Sequence, residues 1–312
     1  MKFKSLLTAA AFVAFGAGAA QAADAIKIPI NEWTGQHISA HILGSAFKEA
    51  GLEVEYVTAG AVPQFAAIAA GDLHVQPETW DNNVGDIYPK AVEAGDIVVV
   101  GETGLSSQEG WIYPPYMEEK CPGLPSYKAL YDCAQAFATA ETFPKGRLIT
   151  YPADWGTRSK DLVELVKFPF AAIPGGSEGA MVAEIKSALA TEQPVLVMFW
   201  EPHWLFADHE MHWVEWPKDD GTCGTDPAKG ITTTEVGDCG FQQANVLKIA
   251  NKDFAATWPK AQGVYEKFSI SNGIQNVLIK EVDNKGRPLE EVIAEWMSNN
   301  ESTWKNWMSG GS

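Results

Sequence analysis

Twelve tryptophans occur in 312 residues, and five of them sit where a strand-like run gives out. Trp33 follows the apolar run from Ile26 to Ile30. Trp80 follows Leu73 to Val75, and Trp155 follows Leu148 to Tyr151. Trp111 comes a turn after Ile97 to Val100. Trp200 closes the unbroken apolar run that begins at Val195, with Pro194 before it and Pro202 after it. Such a run reads as a strand buried on both faces, and proline bounds it because it has no N–H to give a ladder. In open α/β sheets ligands bind beyond the carboxyl ends of strands. Indole faces are electron-rich, so several of them can surround an N-methylated ammonium, which has no N–H for conventional hydrogen bonds. Each desolvated contact contributes about 2 kcal/mol. Three to five walls then supply most of the roughly −8 kcal/mol of a micromolar complex. Trp213, Trp216, Trp258, Trp296, Trp304 and Trp307 fall on helices or loops and read as packing.

Three other constellations could do chemistry. Gly175-Gly176-Ser177-Glu178-Gly179 matches G-x-S-x-G between a strand-like and a helical segment, the setting of a hydrolase nucleophile. A serine hydrolase using Ser177 is therefore the alternative from another class, against the plain reading of Ser177 as a helix N-cap. His203, Asp208, His209 and His212 lie close together, but without the H-E-x-x-H spacing of a zinc enzyme. Asp219, Asp220, Asp226, Glu235 and Asp238 cluster around Cys223 and Cys239, either as a structural calcium site or as a solvated acidic loop; EF-hand spacing is absent. No other cofactor is expected.

The elements that must position these residues follow from patterning. Met1 to Ala22 reads as a cleaved signal peptide: Lys2 and Lys4, then an apolar stretch, then Ala20-Gln21-Ala22. The mature chain is expected to be exported to the periplasm. The formal net charge of −17 argues against nucleic acid as a partner. Four cysteines in an exported chain imply disulfides. Three pairings are open, and the shortest loops favour Cys121 with Cys133 and Cys223 with Cys239. Strand-like and helical segments alternate as β-α-β-α-β, which predicts two mostly parallel sheets in a two-lobed α/β protein. One lobe is expected from residues 23–107 and 242–312 and the other from 108–241, with two crossings and a cleft between them.

Leu73 to Trp80 after Gly-Asp, the Ala153-Asp154-Trp155-Gly156 turn, the run from Phe199 to Trp204 and the segment from Phe241 to Lys252 together resemble the periplasmic substrate-binding proteins of ABC importers for glycine betaine, choline and related solutes. The resemblance covers nearly the whole mature chain and implies a type II-like binding-protein fold, no catalysis, and a membrane permease as partner; a monomer is expected. It implies a ligand cage from Trp80, Trp155 and Trp200, with Trp33 and Trp111 as added walls. The amides of Gly156 and Thr157 match those that receive a betaine carboxylate, while Glu32, Glu109 and Asp154 are implied polar neighbours. Glu109 would repel such a carboxylate and favour a hydroxyl or an N-oxide. The chain thus looks most like the trimethylamine N-oxide-binding members, with choline and glycine betaine as rivals.

Overall fold

The computed structural model describes residues 24–82, 84–217 and 222–309. The segment read as a signal peptide lies outside them, as do Asp219 and Asp220.

The first lobe begins with β1 (Ile26–Ile30), α1 (Thr34–Glu49), β2 (Val54–Thr58), α2 (Gln64–Ala70), β3 (Val75–Trp80), α3 (Ile87–Glu93) and β4 (Ile97–Ser106). The second holds β5 (Gln108–Tyr113), α4 (Met117–Lys120), β6 (Pro122–Pro125), α5 (Ala129–Cys133), β7 (Gly146–Thr150), α6 (Arg158–Leu165), β8 (Phe170–Pro174), α7 (Glu178–Thr191), β9 (Val197–Glu201), α8 (Leu205–Asp208) and β10 (His212–Trp213). The chain then returns to the first lobe with β11 (Asn245–Asn251), α9 (Phe254–Thr257), α10 (Pro259–Lys267), α11 (Asn272–Ile279), α12 (Leu289–Asn299) and α13 (Glu301–Met308).

The sheets are mixed rather than mostly parallel. β1 and β2 pair in parallel. β11, arriving from the other lobe, inserts antiparallel between β3 and β4. The five-stranded sheet has the order β10-β5-β9-β7-β8, parallel for β9-β7-β8 and antiparallel where β5 joins β9. The parallel expectation follows from β-α-β alternation, which does not register a strand that returns from elsewhere in the chain.

The run from Val197 to Phe199 is buried and central in its sheet, as an apolar strand needs to be. α1 buries Ile38, Ile42, Ala46 and Phe47 at helical spacing. It ends before Gly51, whose φ of 78° a side chain would resist. The two crossings run side by side. Asn245 pairs with Ser106, and the Ser107 hydroxyl donates to the Ala244 carbonyl at 2.6 Å.

The cysteines pair as Cys121–Cys133 and Cys223–Cys239. Asp226 caps a turn by accepting from the Ala228 amide. Buried Asp238 accepts from the amides of Ile231 and Thr232 and from the Thr232 hydroxyl. Ser177 caps α7, its Oγ accepting from the Ala180 amide at 3.2 Å.

Candidate functional site

The elements of both lobes bring four of the five tryptophans to one cavity of about 60 Å3. Trp80 is the last residue of β3, held there because Val246 of β11 pairs with it. The expected strand ended at Val75, before a proline; pairing with β11 carries it through Pro77 instead. Trp33 occupies the N-cap position of α1. Trp155 stands in the turn after β7, and Trp200 is the penultimate residue of β9. Trp33 and Trp155, from opposite lobes, lie 5.3 Å apart between ring centroids at 65°. Trp155 and Trp200 lie 5.6 Å apart at 74°. Tyr151 adds a fifth ring, 5.6 Å from Trp200 at 73°. Steeply inclined rings form the corners of a cage rather than a stack.

Two carboxylates line the same space. Glu109, opposite Trp200 in the β5–β9 ladder, accepts the Tyr151 hydroxyl at 2.7 Å and also accepts from the Asn82 amide. Burial, and then Glu109 beside it, hold the Tyr151 phenol well above the ordinary range, so it stays a donor. Glu78 is fully enclosed. One of its oxygens accepts both the Trp33 and the Trp80 indole N–H, at 2.9 and 3.1 Å. The other accepts the Ser39 hydroxyl at 2.5 Å and the Gln275 amide at 2.6 Å. Burial pushes Glu78 up from the usual carboxylate range, and these four donors oppose the rise. Glu32 is raised as well, first by burial and then by Asp154.

Trp111 is not part of this cavity. It is completely buried in the second lobe among Phe168, Phe170, Trp216 and Phe241, and its indole N–H donates to Ser159 at 2.9 Å. The reason is strand direction. β5 runs antiparallel to β9, so its amino end meets the cleft; Glu109 is at the cavity, and Trp111 lies roughly 7 Å farther into the lobe. Gly156 and Thr157 do not line the cavity either, but a separate depression behind the 152–157 turn. Glu78 and Tyr151 are the functional candidates that sequence reading missed. Glu78 was accessible to it: once β3 is extended to residue 80, alternation puts Glu78 on the face of Trp80.

The histidine cluster disperses. His203 is buried, with its Nε2 3.2 Å from Glu178. Asp208 pairs with Lys280, and His212 with Glu118 and Glu210.

A family model described as the substrate binding domain of an ABC-type glycine betaine transport system matches residues 24–299. The chain belongs to this family. It is a substrate-binding protein of the ABC-type glycine betaine transport family, not an enzyme. A trimethylamine N-oxide-binding protein of Pelagibacter ubique is 29% identical over 303 residues, 92% of this chain and 93% of that protein. An ABC-transporter choline-binding protein solved with choline has a similar fold, with a TM-score of 0.76, 16% identity and 92% of each chain covered. A lactococcal glycine betaine complex in its closed form gives a TM-score of 0.70 and 19% identity, over 91% of this chain and 99% of that one. Among the described residues no helix is long and apolar enough to cross a membrane.

Proposed function

We propose that this chain captures a small trimethylammonium compound, trimethylamine N-oxide foremost, between Trp33, Trp80, Trp155 and Trp200, and hands it to an ABC permease from the periplasmic side. The observation that carries the reading is the convergence of these indoles, from both lobes, on one small cavity with Glu109 in its wall. Glu109 disfavours a betaine carboxylate, and Gly156 and Thr157, whose amides would receive one, line a separate depression. The name of the Pelagibacter relative agrees.

Choline is the second reading, because its hydroxyl can donate directly to Glu109 and the choline-binding protein shares the fold. Calorimetric titration of ligand-free protein with trimethylamine N-oxide, choline and glycine betaine decides between them. The N-oxide is expected to bind tightest; betaine far tighter than the N-oxide overturns the ranking.

A further inference from the structure

We propose that Glu78 is a specificity-determining residue of this cavity: an ionised carboxylate behind the Trp33 and Trp80 walls that fixes both rings and selects a positively charged methylated nitrogen over its uncharged isostere. The inference rests on the reading of the cavity as a methylated-amine site and assigns to it a preference the tryptophans alone do not explain.

The protonation state follows from the partners. Indole and amide nitrogens only donate. Trp33 and Trp80 both place an N–H on one oxygen of Glu78, and Gln275 places an N–H on the other. Both oxygens are therefore acceptors toward groups that cannot accept in return. Only Ser39 could take either role. With Ser39 donating, all four bonds are ones that the ionised carboxylate accepts, and they oppose the upward push of burial.

Among the described residues the charge has no cationic partner. Glu78 is 1% exposed, and among the described residues it forms no ion pair with Lys, Arg or His. A buried charge needs compensation, which here comes only from hydrogen bonds while the cavity is empty. A methylated ammonium in front of Trp33 and Trp80 supplies the missing opposite charge. It has no N–H to donate to Glu78, so the carboxylate acts across the indoles. Charge-assisted bonds are strong, and bonds in series polarise one another, so each N–H bonded to the carboxylate leaves its ring face more attractive to a cation.

Geometry contributes separately. A single oxygen holds two walls, and Ser39 of α1 and Gln275 of α11 hold the carboxylate. The first-lobe half of the cage is thereby preorganised before ligand arrives.

Charge and geometry are separable with choline and its uncharged isostere 3,3-dimethylbutan-1-ol, titrated calorimetrically against the wild type, Glu78→Gln and Glu78→Asp. The wild type is expected to prefer choline strongly. Glu78→Gln keeps an oxygen for the two indoles and loses the charge; its choline affinity is expected to fall about tenfold or more, with the alcohol nearly unchanged. Glu78→Asp keeps the charge and shortens the reach; both affinities should fall while their ratio survives, which also tests the proposal if Glu78→Gln does not fold. Equal losses for both ligands in Glu78→Gln, or a collapsed ratio in Glu78→Asp, make Glu78 a purely structural residue and overturn the inference. A wild type that binds neither choline nor trimethylamine N-oxide contradicts the functional reading itself, and this inference with it.

Discussion

At the scale of single residues, Trp80 and Trp111 make opposite predictions from the same side chain. Trp80 faces the cavity, so Trp80→Ala is expected to cost about 2 kcal/mol or more in binding, read by calorimetry. Trp200→Ala should do the same. Trp111 is sealed in the second lobe, so Trp111→Ala is expected to cost about 3–5 kcal/mol of stability in a denaturant melt. The affinity of its folded fraction should be unchanged. A loss of affinity there with stability intact would return Trp111 to the site. Glu109 makes a prediction about protons. A carboxylate and an N-oxide oxygen are both acceptors, so their contact requires one shared proton. If that proton comes from solvent, linkage makes trimethylamine N-oxide bind more tightly as pH falls, whereas choline brings its own donor. Calorimetry in buffers of different ionisation enthalpy should show proton uptake for the N-oxide and none for choline. Equal proton counts would remove Glu109 from contact with the ligand oxygen.

At the scale of elements, the sequence was most legible where local pattern and tertiary role agree. The run ending at Trp200 reads as a buried strand and is one. Ser177 reads as a cap and accepts the Ala180 amide. Legibility failed where a distant partner decided the outcome. β3 continues through Pro77 because β11, about 170 residues later, pairs along it. β5 is antiparallel, so its cleft-facing end is the amino end and carries Glu109 instead of Trp111. No local pattern encodes strand direction. The loop tied by Cys121 and Cys133, 12 residues apart, packs away from the cavity. Replacing both cysteines with alanine is expected to lower stability by about 3 kcal/mol, with ligand affinity retained. Lost affinity at unchanged melting temperature would contradict that separation.

At the scale of the whole molecule, the cavity exists only where the lobes meet. Trp33 touches Trp155 across the cleft, and the first amide of α1, on Thr34, donates to Glu178 of α7 at 2.8 Å. Glu178 is buried, and His203 faces its other oxygen. The His203 Nδ1 accepts the Leu205 amide, so in the neutral ring the proton lies on Nε2, 3.2 Å from Glu178. That assignment leaves Nε2 without a lone pair for a metal. Asp208 with Lys280 and Asn284 adds a second contact between lobes. We propose that these contacts hold the two lobes in a closed form. Glu178→Ala is therefore expected to weaken every ligand by one common factor, about 2 kcal/mol. Small-angle scattering at subsaturating ligand should show a larger open fraction. A change in ligand ranking instead would place Glu178 in recognition rather than closure.

The most direct measurement is a crystal structure of the protein grown with trimethylamine N-oxide. The methylated nitrogen is predicted to lie within about 6 Å of the ring centroids of Trp33, Trp80, Trp155 and Trp200, with its oxygen toward Glu109. A nitrogen bound elsewhere, or a cavity that stays empty at saturating ligand, would contradict the account.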